Sequence, residues 1–263
     1  MKKILVTFLI IAVFYVAASA QAEQPRPTPT PFDSFSDKLY ETDWLARLDN
    51  MAVEMQNAPD TKAFIVSYGV PNKLPGWPLR RANWARGVLT KGRGIDPTRV
   101  EVMFGGYKDE VMYQHWLMRD GERPPVEAFD FAAALTREKT AYKFDQFNLY
   151  DPSVDFWGYD GSYSEYLDDR SRYEPLALAL RHDPAARACI IAYATRKHRV
   201  GTDRRLAMRL KRAVAIAHPV EMQRIVAIGG GLRQYRSVEL WIVPPGAELP
   251  KPTPTVRPKR RKR

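Results

Sequence analysis

The 263-residue sequence contains one cysteine, four histidines, and fewer glycines (15) than prolines (21). A single cysteine excludes an internal disulfide framework and any zinc or iron–sulfur site built on clustered thiolates. None of Gly-x-Ser-x-Gly, His-Glu-x-x-His or Gly-x-x-x-x-Gly-Lys-Ser/Thr occurs, so the common nucleophile, zinc-protease and phosphate-loop motifs are absent. His115, His182, His198 and His218 stand far apart without ligand spacing, and they read as structural residues. Gly229-Gly230-Gly231 is followed by no helix start, so it reads as a bend before a hairpin rather than a phosphate cradle. Cys189, inside the apolar run Ala188 to Ile191, reads as a small buried hydrophobe. The sequence offers no catalytic constellation, no metal ligand set and no cofactor motif.

What is present begins with a leader. Lys2 and Lys3 precede the uncharged run Ile4 to Val16, and Ala18-Ser19-Ala20 offers small residues for cleavage before Gln21, with Ala20-Gln21-Ala22 as the alternative. This predicts an exported protein, periplasmic or secreted, with a signal peptide over residues 1–20. The apolar run is short for a span of about 20 residues, and an uncleaved anchor is the alternative. No cysteine stands near the cleavage site, so a lipoprotein is not expected. Residues 21–31 are proline-punctuated and predict an extended linker. Residues 250–263 mirror them and end in a basic run, which predicts a disordered tail.

The formal charge of +11 is concentrated rather than spread. Residues 251–263 carry seven cations and no acid, and with the leader lysines set aside residues 21–250 hold only +2. Arg257, Lys259, Arg260, Arg261, Lys262 and Arg263 are therefore the candidate contacts of the tail with an anionic polymer, a nucleic acid or lipid headgroups. No specific nucleic-acid motif accompanies them. Residues 196–212 form a second basic block of +7, in which Arg205, Arg209 and Arg212 share one helical face while Leu206 and Leu210 take the other. Residues 145–183 form an acidic block of −6, and the two blocks are expected to neutralise each other in part. Within the acidic block, Tyr150, Phe156, Trp157 and Tyr159 lie among aspartates, read as a packed surface loop or, alternatively, a glycan or calcium site.

Between the tails the sequence repeats itself. A constant offset of 125 carries Pro59, Ala63, Ile65, Tyr68, Gly76, Arg80 and Ala82 onto Pro184, Ala188, Ile190, Tyr193, Gly201, Arg205 and Ala207. The same offset carries Arg99, Gly105, Gly106, Trp116 and Gly121 onto Arg224, Gly230, Gly231, Trp241 and Gly246. Upstream, Phe32-Asp33 matches Phe144-Asp145 once a 13-residue insertion in the second copy is allowed. Each copy reads as helix, strand, helix, strand, strand. Leu45, Leu48, Met51, Ala52 and Met55 recur at helical spacing, while Val238, Leu240 and Ile242 alternate with Glu239 and Trp241 as in a strand with one buried face. The expectation is an α+β protein: two tandem α/β sandwiches with a mixed sheet and helices on one face, over residues 32–125 and 144–249. A partly helical connector is expected over residues 126–143.

The unit resembles the OmpA-like domain, a periplasmic module that clasps peptidoglycan. The resemblance covers about 90 residues twice, and it rests on Phe32-Asp33-Ser34-Phe35, the strand ending at Tyr68, Arg80-Arg81-Ala82 and Gly94 to Val100. In the second copy it rests on Phe144-Asp145, Tyr193, Arg205 and Val220 to Ile225. It implies a diaminopimelate clamp, an Asp after the first central strand accepting from the ammonium and an Arg forking the carboxylate. Here the Asp positions fall near Gly69-Val70 and Ala194-Thr195, and neither supplies a carboxylate. Arg81 matches the family Arg, but the second copy has Leu206 there, with Arg205 beside it. The candidate ligand-binding residues are thus Tyr68, Arg81, Tyr193, Arg205, Arg209 and Arg212. The functional expectation is a non-catalytic cell-envelope scaffold or interaction unit, whose partner is peptidoglycan or an envelope protein; the alternatives are a wall-polymer binding module and a tail that binds nucleic acid or acidic lipid.

Overall fold

The structure is a computed structural model that describes residues 29–71, 73–127, 129, 139–149 and 169–257. The described residues from Pro31 onward form one compact unit. The first copy contains β1 (Asp33–Ser36), α1 (Glu41–Asn57), β2 (Thr61–Gly69), α2 (Gly76–Gly87), β3 (Val100–Tyr107) and β4 (Met112–Arg119). The second contains β5 (Tyr142–Asn148), α3 (Asp169–His182), β6 (Arg187–Ala194), α4 (Thr202–Ala217), β7 (Ile225–Leu232) and β8 (Ser237–Val243). Each copy builds a four-stranded sheet, ordered β1-β4-β2-β3 and β5-β8-β6-β7. The β2/β3 and β6/β7 pairs are parallel and the others antiparallel. The α+β architecture with mixed sheets is therefore as the sequence implied.

Three details differ from the expected unit. It opens with an edge strand: β1, of four residues, pairs Asp33 with His115 and Phe35 with Tyr113, and β5 pairs Asp145 with Leu240 and Phe147 with Val238. Such a short, half-polar strand carries too little periodicity to be read from sequence. The strand β5 also starts at Tyr142, two residues before the expected module boundary. The glycine pairs lie inside strands rather than at bends. A Cβ on Gly105 would lie 2.4 Å from the Tyr68 ring, and one on Gly230 would lie 2.5 Å from the Tyr193 ring, so each glycine makes room for a tyrosine.

The repeat persists to single hydrogen bonds. Arg99 donates to the carbonyl oxygens of Met55, Ala58 and Thr61, and Arg224 donates to those of Leu180, Asp183 and Ala186. Each arginine satisfies the carbonyls left open where the first helix of its copy ends, and so locks helix to strand. These contacts also align α1 with α3 at the offset of 125.

Both faces of each sheet are covered, which explains the near-continuous apolar runs of β2 and β6. Ala63 and Ile65 face the helices with Trp44, Leu48, Met51 and Met55, while Phe64, Val66, Tyr68, Trp116 and Met118 cluster on the opposite face. That opposite face is strapped by the segment following each hairpin. Phe129 lies against Gly106, and Pro254, one repeat later, lies against Gly231. The expectation of a disordered tail from residue 250 is corrected for residues 250–257. Thr255 and Val256 both donate backbone N–H groups to the Leu232 carbonyl at 3.1 Å, and Thr253 donates to the Tyr193 hydroxyl. Of the tail cations, Arg257 is exposed, and Lys259, Arg260, Arg261, Lys262 and Arg263 lie outside the described residues. The expected helix near Phe129 to Leu135 and the aromatic-acidic insertion also fall largely outside them.

The two copies share a core. Leu79 of α2 and Phe104 of β3 belong to the cluster that contains Phe144, Phe147, Tyr173 and Leu176 of the second copy. A Cβ on Gly76 would lie 2.4 Å from the Phe144 ring, so the start of α2 must be glycine to press on β5.

Candidate functional site

Helix α2 carries the residues that the resemblance marks as a ligand fork. It is buried on nearly all sides, which its sequence GWPLRRANWARG would not suggest for a helix with three arginines. Arg81 is 6% exposed and faces its own copy. Its guanidinium lies 4.4 Å from the Trp44 ring centroid and 5.1 Å from that of Trp77, and its Nε is 3.6 Å from Asp37 Oδ1. Trp77 Nε1 donates to the other oxygen of Asp37 at 3.0 Å. Burial raises the Asp37 pKa above its ordinary value, although Arg81, Trp77 and Arg80 each favour the carboxylate. The carboxylate facing Arg81 is that of Asp37, from the turn after β1. It serves Arg81 from inside the protein, and sequence spacing carried no signal of it.

Arg80 points the other way, into the second copy. Its Nε donates to Asp145 Oδ2 at 2.7 Å, and its Nη2 reaches the Gln146 carbonyl at 3.3 Å. The guanidinium lies 4.7 Å from the centroids of both Trp77 and Phe147. Both members of the ion pair are almost fully buried, at 4% and 2% exposure. Beside it Asn83 Nδ2 donates to the Ser171 carbonyl at 3.1 Å, and Arg86 pairs with Glu174 at 3.0 Å. Of the acidic block, Asp145 and Glu174 pair with arginines of the first copy rather than with the basic block of their own, and most of its other acids lie outside the described residues. The retained Phe-Asp pairs of the repeat were the available signal for Asp145.

Tyr68 and Tyr193 do not join these arginines. They lie on the opposite sheet faces, so the sequence-predicted sets Tyr68 with Arg81 and Tyr193 with Arg205 are not brought together. Tyr68 donates to Gln114 Oε1 at 2.8 Å, under Lys108 at 4.0 Å from its ring. The second copy replaces Gln114 by Glu239, which is 1% exposed and accepts from Lys143, Arg233, Tyr193 and Trp241. Burial raises the Glu239 pKa, but the hydrogen bonds from Lys143, Arg233 and Trp241 outweigh it and hold the carboxyl below its ordinary range. Thr253 of the strap completes this cluster with bonds to Tyr193 and Arg233. It is a filled, internally satisfied network rather than an open pocket.

Arg205, Arg209 and Arg212 are exposed on α4, as the helical spacing implied, and Leu206, Ala207, Leu210 and Val214 are buried beneath. Arg205 donates to Thr202 Oγ1, and no acidic partner is recorded among the described residues for Arg204, Arg205, Arg209 or Arg212. A shallow hollow of about 170 Å³ lies beside Arg205 and Arg209. A larger cleft of about 550 Å³ is lined by Phe32, by Asp33 of β1 and by Ala46, Arg47 and Asn50 of α1.

Among the described residues no group of three His, Cys, Asp or Glu side chains is placed to hold a metal ion, and no helix is long and apolar enough to cross a membrane. Cys189 is fully buried, and burial pushes its thiol up to about 12. No protein-family model matches the chain, and no curated protein sequence matches it.

Proposed function

We propose that the protein is an exported, non-catalytic cell-envelope protein whose two degenerate OmpA-like units act as one rigid interaction scaffold. The observation that carries this reading is the use made of α2. Arg81, at the position of a ligand fork, is stacked on Trp44 and Trp77 and faced by Asp37, while Arg80 is engaged by Asp145 of the second copy. A diaminopimelate group would have to displace a buried, aromatic-stacked guanidinium, and buried charges with partners are costly to separate. In this reading the helix that would clasp wall peptide instead fastens one unit to the other. The leader supports export, and the exposed arginines of α4 supply a surface for a partner.

The test is sedimentation with purified peptidoglycan sacculi at about 0.15 M salt, where exposed charges are screened beyond about 8 Å. The protein is expected to stay in the supernatant and to begin at Gln21 when recovered from the exporting cell. Retention that a folded Arg81→Ala variant loses would overturn the scaffold reading in favour of a wall-binding module. Wall hydrolysis by the purified protein would overturn its non-catalytic part.

A further inference from the structure

We propose that the exposed face of α4 docks on the β1/α1 face of a second copy of this chain, repeating between molecules the contact that joins the two halves within one. The internal contact is the template. There, α2 of the first copy presses on β5 and α3 of the second through Arg80–Asp145, Asn83–Ser171, Arg86–Glu174 and Gly76 against Phe144. The repeat supplies the counterpart of each side. At the offset of 125, α4 presents Arg205, Met208 and Lys211, with Gly201 just before its first residue. The register of β1 and β5 on Asp33/His115 and Asp145/Leu240, with the matched Arg99 and Arg224 bonds, makes the other side Asp33, Ala46, Asp49 and Phe32.

The counterpart pairs are chemically matched. Arg205 meets Asp33, which Arg47 already holds at 2.6 Å, and Lys211 meets Asp49, which Arg93 already holds at 2.6 Å, so each cation joins an existing ion pair as a second partner. Asn83, which donates to the Ser171 backbone carbonyl, becomes Met208, and Ser171 becomes Ala46, so that hydrogen bond gives way to an apolar side chain facing a methyl group. Met208 is 44% and Phe32 39% exposed, although both are apolar. The cleft lined by Phe32, Asp33, Ala46, Arg47 and Asn50 includes the counterparts of three residues that α2 contacts in the second copy, Phe32, Asp33 and Ala46, with Arg47 bound to Asp33 at its side. Charge agrees over the whole surface: α4 carries four arginines and one lysine against one acid, and α1 carries four acids against one arginine.

The two contacts are not equal in strength. Leu79 and Phe104, the apolar anchors of the internal contact, correspond to Arg204 and Gly229. The contact between molecules is therefore carried more by charge, so it is weaker and sensitive to salt. Because α4 and β1/α1 are different surfaces of one chain, the association is head-to-tail and extends into a ring or a fibre rather than closing as a two-fold dimer. The inference rests on the reading of the protein as an interaction unit and names the partner of that unit.

Sedimentation velocity of the full chain as recovered after export tests it. Species larger than the monomer are expected to grow with concentration at about 0.05 M salt and to disappear at about 0.5 M. An Arg205→Glu/Lys211→Glu variant, with the donor face reversed, and an Ala46→Trp variant, with the cleft filled, should each weaken association at least about tenfold. All three changes are at the molecular surface, and circular dichroism checks that the variants fold. An equimolar mixture of the two variants should form a 1:1 complex and nothing larger, since only one intact face of each kind is present. A wild-type chain that stays monomeric at about 0.1 mM, a concentration at which contacts worth about 5.5 kcal/mol are half-formed, overturns the proposal. So does association that both variants retain, or sacculus retention lost in Arg205→Glu/Lys211→Glu, which would assign the face to an anionic polymer. Sacculus retention that depends on Arg81 would remove the scaffold reading alone and leave the sedimentation result standing.

Discussion

Replacing His115 by leucine installs in the first copy the residue that the second copy carries at Leu240. His115 is fully buried in β4, opposite Asp33, edge-on to the Phe35 ring at 5.0 Å, and neither ring nitrogen has a hydrogen-bond partner among the described residues. Burial pushes its pKa down from 6.5 to about 4, with Asp33 pulling it partly back and Arg47 lowering it further. The unfolded chain therefore takes up the proton first as pH falls. Stability is undiminished above pH 6.5 and drains between 6.5 and about 4. The gap corresponds to about 3 kcal/mol in all, of which about 2 kcal/mol is gone by pH 5. For a unit of this size that is about 4–8 °C in Tm. Urea denaturation followed by tryptophan fluorescence at pH 8 and pH 5 measures it. His115→Leu should remove about 2 kcal/mol of the acid-side loss, while at pH 8 it is neutral or stabilising because no hydrogen bond is given up. An unchanged difference between the two pH values in the variant would refute the argument that this imidazole is neutral in the fold.

Two further predictions follow from the buried charges. Arg80→Ala and Asp145→Ala should each destabilise by about 3–5 kcal/mol, because each leaves an uncompensated charge between the two copies. The double variant should cost clearly less than their sum in a denaturation cycle, and strict additivity would deny the coupling. Glu239→Gln, which imitates Gln114, should cost about 1–3 kcal/mol at neutral pH through weakened bonds to Lys143 and Arg233. The stability that wild-type Glu239 contributes is full above its ordinary value of 4.5 and is lost as pH falls below it, through the lowered folded value. The stability gap between variant and wild type should therefore narrow below pH 4.5, and a gap that widens there would refute the assignment.

Much of the unit was legible because the signals are local or periodic. Leu48, Met51, Ala52 and Met55 marked α1, and the offset of 125 carried the elements of one copy onto the other. Even the repeated Arg99 and Arg224 were visible, although their role as bolts on the ends of α1 and α3 was not. The edge strands β1 and β5 escaped, since four to seven residues of mixed polarity acquire their strand character only by pairing with β4 and β8.

The sequence by itself determined the duplication, the α+β order of elements and the basic outer face of α4, because side-chain spacing dictates which residues share a face. Only the tertiary structure decided what the arginines of α2 do. Arg80 finds Asp145 65 residues further along the chain, and Arg81 finds Asp37 and Trp44 before it. The same arginine at offset 125, Arg205, is exposed, and among the described residues no strand packs over α4 as β5 packs over α2. Whether a long cationic side chain is buried depends on which surface is packed over it, and spacing along one helix carries no record of that.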